Sequence, residues 1–259
     1  MTLRLVTGAY LLYLAAPILL LLVGSFGASW SNTLLPSGFT TGWDGQLAGD
    51  PSFVRAFETS LLVVAATCLV NALVGVPLAY VIHGAARAGV RFAARLVSLM
   101  PIAVPELVLA FGFILVFSSN ALPFLGSTWL LVMGHVVLTL PYLLNVLLAD
   151  MTALRLDEME RAAATLGAGF WQRFRDIVLP GLRHSLLAGL ITVAAISIGE
   201  FQLSNLVAGF LNRPYPVVLL QAFYGATGFA CAATVVLLGL AMLAAVAGAL
   251  TARASRAGG

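Results

Sequence analysis

The stretch that decides the fold is LDEMERAAATLGAGFWQRFRDIVLP, from Leu156 to Pro180, an island of charge in an otherwise apolar chain. The run Gly167, Ala168, Gly169 divides it into two short helical pieces. Asp157 followed by Glu160 has the spacing of an Asp-type capping box, and Gly167 stands where a helix C-terminal glycine stands. The second piece is expected to stop before Pro180, because proline restricts the residue before it and has no amide donor. Met159, Ala163 and Leu166 recur at helical spacing in the first piece, as do Phe170, Phe174 and Ile177 in the second, so each has one apolar face. Helices of about ten residues are marginal alone in water, and these need a surface to lie against.

Around this island, 61% of the 259 residues are hydrophobic and 9% are charged, a balance that ordinary soluble domains do not show. The chain reads as an all-α integral membrane protein. All thirteen basic residues are arginine. Without lysine there is no phosphate loop of the form GxxxxGK[ST], so the chain is not itself a P-loop ATPase and any ATP is spent by a partner. The net charge of +3 does not argue for nucleic acid, since the arginines sort by membrane side. Cys68 and Cys231 lie inside apolar runs without metal-ligand spacing and read as small buried residues. No metal or cofactor is expected in this chain.

Six spans are expected, at about 8–28, 61–82, 96–117, 129–149, 184–207 and 230–250, each long enough for a hydrocarbon core of about 30 Å. The first reads as a retained anchor, since a signal peptide would have a shorter apolar core and a better cleavage site than SFGASW. Residues 29–58 form an outer loop with Trp30 and Trp43 at the interface. Arg87, Arg91 and Arg95 share one helix face, which suits anionic inner-leaflet lipid. The segment 209–228, broken by Pro and Gly, is expected to be re-entrant or interfacial. With the N-terminus inside, eleven arginines are cytoplasmic and only Arg55 and Arg213 lie outside, which places both termini in the cytoplasm and makes 150–183 a cytoplasmic loop. The extramembrane segments are too short for a second domain, so 1–259 reads as one transmembrane domain.

The island resembles the cytoplasmic loop of ABC importer permeases of the type I fold, whose pattern is EAA, three residues, G, nine residues, IxLP. Ala162, Ala163, Gly167, Ile177, Leu179 and Pro180 fall in register. Arg161 stands where that family usually has Glu, and Glu160 lies one place earlier, a rotation of about 100° on a helix. PSGFTTGW, DPSFVRAFETSLLVVAAT, GVPLAYVI and MPIAVPELVLAFGF are similar to the polyamine, phosphonate, thiamine and ferric-iron branch of such permeases. The resemblance implies six transmembrane helices, a loop that couples to a cytoplasmic ATPase dimer holding ATP and Mg, a second permease subunit, an extracytoplasmic solute-binding protein and a bacterial inner membrane. Coupling residues would be Glu160, Arg161, Ala162, Ala163, Gly167, Ile177, Leu179 and Pro180.

Ionisable and amide side chains inside spans mark candidate pathway positions: Glu106, Glu200, Gln202 and Asn205. A carboxylate there suits a cationic solute such as a polyamine. Glu106 beside Pro105 also reads as a partner for freed backbone, and Glu200, Gln202 and Asn205 as interhelical hydrogen-bonding groups. Glu200 and Gln202 differ by about 200° on a helix, so only an unwound segment brings the set together. His135 reads as a packed, hydrogen-bonded histidine. Pro77, Pro101, Pro105 and Pro141 mark possible kinks. The competing function is a gradient-driven secondary transporter using Glu106, His135 and Glu200 as relay groups, against which stands the lack of an inverted repeat. An intramembrane enzyme has no HExxH or Gly-x-Ser-x-Gly to rest on.

Overall fold

Long apolar runs with few charges close their backbone hydrogen bonds within the segment, and the chain is accordingly helical almost throughout. Its elements are α1 (Thr2–Ser25), β1 (Gly27–Ser29), β2 (Ser37–Phe39), α2 (Gly42–Gly49), α3 (Pro51–His83), α4 (Ala88–Ala103), α5 (Glu106–Phe117), α6 (Thr128–Ala153) and α7 (Leu156–Thr165). There follow α8 (Phe170–Arg173), a π-turn (Phe174–Val178), α9 (Leu179–Gly199), α10 (Gln202–Val207), a 3-10 turn (Phe210–Asn212), α11 (Tyr215–Ala222) and α12 (Thr227–Ala257). The structure, a computed structural model, describes residues 2–257 apart from 31, 32, 34 and 86, with side chains except at 2, 3, 244, 245 and 247–257.

Four described stretches, Arg4–Ser25, Pro51–His83, Thr128–Ala153 and Phe170–Gly199, are long and apolar enough to cross a membrane. A fifth path is the pair α4 and α5, bent by 96°. The expected span 96–117 is therefore not one straight helix. Val104 is extended (φ −87°, ψ 126°), as a residue before proline prefers, and Pro105 begins the new helix without a donor to place. Pro77, Pro101 and Pro141, by contrast, lie inside α3, α4 and α6. The expected fifth span also breaks, since α9 ends at Gly199 and α10 starts at Gln202. The expected sixth, 230–250, lies within α12, where Arg253 and Arg256 fall among the side chains outside the description.

Contacts divide the chain into two compact units. One comprises residues 1–60 and 213–240. Here β1 and β2 pair antiparallel, Gly27 opposite Phe39, and Trp43 Nε1 donates to the Gly27 carbonyl at 2.8 Å. The segment expected to be re-entrant or interfacial supplies part of this unit's core. Tyr215 of α11 is buried against Phe53, its amide donates to Ser60 Oγ (2.8 Å) and its hydroxyl to the Ala233 carbonyl (2.9 Å).

The other unit comprises residues 61–212 and 241–259. Its axis is α6, whose Leu143, Leu144, Leu147, Leu148 and Met151 are buried with residues of α3 and α9. Leu143 lies between two glycines. A Cβ on Gly75 would come within 2.8 Å of Leu143 Cδ2, and one on Gly189 within 2.5 Å of Cδ1, so small residues on α3 and α9 set how closely both helices approach α6. Because Leu143 is held from both sides, it has nowhere to retreat. We predict that Gly189→Val destabilises the protein by about 1–3 kcal/mol in denaturant titration, and that Leu143→Ala in that background costs less than it does alone. Additive losses would contradict this packing.

Candidate functional site

The island at 156–180 folds as two helices on a buried base. Arg155 turns the chain out of α6 in the left-handed region (φ 50°), and α7 starts with Leu156 only 1% exposed in the core of α6 and α3. The second leg returns through Val178 and Leu182, both buried in the same core. Between them the turn is a Schellman closure: Gly167 N donates to the Ala164 carbonyl (3.0 Å), and Ala168 N to the Ala163 carbonyl (3.1 Å). Gly167 has φ +86° and open space where a Cβ would stand, so its requirement is torsional.

Two local expectations fail. Asp157 and Glu160 do not form a capping box, and no side chain caps α7. Asp157 accepts instead from Arg161 (3.3 Å), while Glu160 Oε1 accepts from the Tyr80 hydroxyl of α3 at 2.8 Å. A nonlocal partner has outbid the local one. Nor does the second leg stop at Pro180. Leu179 N donates five residues back to the Phe174 carbonyl, and this widened turn lets the helix run on through a residue whose ring clashes with a normal turn.

The coupling residues expected from sequence thus separate by direction. Glu160 faces inward to Tyr80, and Arg161, one residue on, faces solvent. Ala163 and Ile177 are half-buried, while Ala162, Gly167, Leu179 and Pro180 are exposed. At the tip, Leu166 is 88% and Trp171 75% exposed, Phe170 and Phe174 are stacked, and Trp171 meets both edge-to-face.

A second constellation lies deeper in the same unit. Glu200 and His135 are buried, 6% and 1% exposed. Glu200 accepts from the amides of Leu203 (2.7 Å) and Ser204 (2.9 Å) and from Ser204 Oγ (2.5 Å), so its carboxylate caps the first turn of α10. His135 Nε2 lies 3.0 Å from Ser204 Oγ and 3.4 Å from Glu200 Oε2, and its Nδ1 lies 2.7 Å from Ser197 Oγ. With Ser204 Oγ donating to Glu200, the His135 Nε2–H donates to Ser204. Glu106, half-exposed in the first turn of α5, is within electrostatic reach of both Glu200 and His135. Gln202 and Asn205 point away from this network and are exposed. The structure therefore sets Glu106 on a helix that packs against α10 but does not gather Glu200, Gln202 and Asn205. His135 is the packed histidine its sequence context indicates. Ser197, Ser204 and Tyr80 carry no sequence signal, because each matters only through a partner at least 62 residues away or across a helix break. No group of three or more His, Cys, Asp or Glu able to hold a metal occurs among the described residues, and Cys68 and Cys231 are free thiols.

The model of the family described as "Binding-protein-dependent transport system inner membrane component" matches residues 73–256, which takes in both constellations. The chain belongs to this family. Permease relatives agree. The chain is 29% identical over 217 residues to the sulfate transport system permease protein CysW of Escherichia coli (strain K12), covering 76% of this chain and 73% of that one. It is 26% identical over 248 residues to the putative 2-aminoethylphosphonate transport system permease protein PhnV of Salmonella typhimurium, covering 90% and 87%. It is 30% identical over 174 residues to the molybdate/tungstate transport system permease protein WtpB of Thermococcus kodakarensis, covering 67% and 68%. A bacterial ABC transporter for import of the polysaccharide alginate has the same fold, with TM-score 0.74 at 18% identity over 98% of this chain and 94% of that one.

In this permease the Glu200 network is the polar centre of its unit. Glu200→Gln places an amide donor against amide donors, and we predict a loss of about 1–3 kcal/mol in stability. Gln202→Ala and Asn205→Ala should change it by less than about 0.5 kcal/mol. Thermal unfolding of the three detergent-solubilised variants checks this, and an unshifted Glu200→Gln would remove the capping role.

Proposed function

We propose that the chain is the transmembrane permease subunit of an ATP-driven solute importer in a bacterial inner membrane, forming half the pathway and docking a cytoplasmic ATPase through residues 150–183. The observation that carries this reading is an apolar tip, Leu166, Phe170 and Trp171, held exposed on a loop whose two ends are buried. Exposed aromatic anchors on a rigid mount are what a partner's cleft takes up. The arginine bias supports cytoplasmic termini and a cytoplasmic loop. In the six-span reading, α1, α3, the bent pair α4 and α5, α6, α9 and α12 are the spans. The chain is non-catalytic, and ATP and Mg act in the partner. A second permease, the same chain or another, completes the pathway, and an extracytoplasmic binding protein delivers the solute. The similar alginate transporter has been solved in complex with a periplasmic protein that holds an alginate pentasaccharide.

Transport in this reading is a switch of access. Closure of the ATPase pair moves the loop, and the loop, continuous with α9 and tied to α3 through Glu160, tilts both helices. Access states differing by a few kcal/mol let ligands bias the switch.

The solute is small and polar. A cationic solute such as a polyamine is favoured by Glu106, the carboxylate of the polar centre that is not already capping a helix, and by similarity to the spermidine/putrescine transport system permease protein PotC of Escherichia coli at 26% identity. A second reading, a small oxyanion, is favoured by the relatives named for sulfate, phosphonate and molybdate.

Two outcomes are expected. Leu166→Asp with Trp171→Asp should weaken ATPase association about thirtyfold or more while leaving thermal unfolding of the permease unchanged. Normal uptake without any ATPase, driven by a proton or sodium gradient, would sink the reading. Glu106→Gln should lower uptake of putrescine several-fold and leave sulfate uptake unchanged. The reverse pattern in a transport panel would select the oxyanion.

A further inference from the structure

We propose that the chain binds one anionic glycerophospholipid of the inner leaflet at a two-part site formed by the end of α3 and the start of α4. The proposal rests on the orientation above, in which this end of α3 is cytoplasmic.

The headgroup part is a cavity of about 560 Å³ whose lining includes His83, Arg91, Arg95, Arg155, Arg161 and Arg173. Against these five arginines stand two carboxylates, Asp157 and Glu160. Both are engaged, Asp157 with Arg161 and Glu160 with the Tyr80 hydroxyl. Arg155 is bound to Glu158. Among the described residues, Arg91, Arg95 and Arg173 have no carboxylate partner within ion-pair distance. Two lining atoms, His83 Nε2 and Arg173 Nε, are shielded from solvent without any hydrogen-bond partner. Arg173 Nε is a donor, and a buried donor left so is destabilising until an acceptor arrives. A phosphodiester supplies charge and several acceptor oxygens together.

The tail part is a nearly all-apolar groove of about 620 Å³ on adjoining faces of the same helices, lined by Leu78 and Ile82 of α3, Val90, Ala94 and Val97 of α4, and Leu140 of α6 among others. Helix α4 thus turns arginines to the cavity and aliphatic side chains to the groove, and none of its residues is buried within the chain. A basic cavity beside an apolar groove matches a headgroup beside its acyl chains. An acidic protein segment or a free anion would use the cavity and leave the groove empty. Each arginine near the headgroup raises affinity about fivefold, while the groove contributes van der Waals fit to chains that are already in hydrocarbon.

The test titrates the full chain, purified with its copurifying subunits in phosphatidylcholine micelles, with phosphatidylglycerol, and reads retained lipid by native mass spectrometry. Phosphatidylglycerol should be retained at least about tenfold more tightly than phosphatidylcholine of the same chains. Arg91→Gln with Arg95→Gln should weaken it about thirtyfold. Val97→Trp, which fills the groove and leaves every charge, should also release it, so a double-arginine variant that fails to fold leaves the test intact. Glycerol phosphate, the headgroup alone, should not compete at equal concentration. Equal retention of the two lipids, competition by glycerol phosphate, retention only by chain that has lost its ATPase subunit, or retention by Val97→Trp would each overturn the proposal. A chain that retained phosphatidylglycerol as predicted but failed ATP-coupled uptake would support the lipid site and count only against the permease reading.

Discussion

A buried backbone donor without an acceptor costs several kcal/mol, and three departures of this chain from regular helix are placed where that cost is met. At 104–105 proline removes a donor, and its carbonyl accepts from Val108 and Leu109. At 200–201 the break frees amides in the first turn of α10, and the Glu200 carboxylate takes two of them. Before Pro180 the ladder widens to a π-turn, so the helix is not interrupted. Glu200 is thus fixed by the backbone it satisfies, and His135, Ser197 and Ser204 are the shell that makes a buried carboxylate tolerable. Glu106, which caps nothing, is left as the group near that centre with a surface to offer.

The loop between α6 and α9 follows the same economy. Its ends are committed to the core through Leu156, Val178 and Leu182, its middle to α3 through Glu160, and its turn closes on itself around Gly167. What remains uncommitted is the tip, Leu166, Phe170 and Trp171. Rigid mounting with an exposed apolar end is the geometry of a lever, in which a force on the tip reaches α9 through continuous helix and α3 through one hydrogen bond. The chain belongs to the permease family, and this arrangement of the loop is what the proposed docking role requires.

Local features were legible in the sequence. The apolar runs, the charged island and Gly167 as the closing glycine depend on residues a few positions apart, and the structure has each. Features that depend on a distant partner, or on how a turn is wound, were not. Glu160 reads as a capping residue until Tyr80 is placed beside it, and Pro180 reads as a stop until the turn before it widens. Glu200, Gln202 and Asn205 look like one polar group in the sequence, but the break at 200–201 sends the first inward and leaves the others exposed. Helical periodicity holds no information on where a helix ends, and the break is what decides which side chains meet.

The claim on which the rest turns is that the tip of the loop is seated in an ATPase. A photo-crosslinking residue at Leu166, in membranes from cells making the whole transporter, tests it most directly, with Leu73 on the exposed face of α3 as control. The account predicts a crosslink from position 166 to the ATP-binding subunit, changed in yield when ATP is bound, and none from position 73. Crosslinks from 166 to lipid alone, with the ATPase present and active, would contradict it.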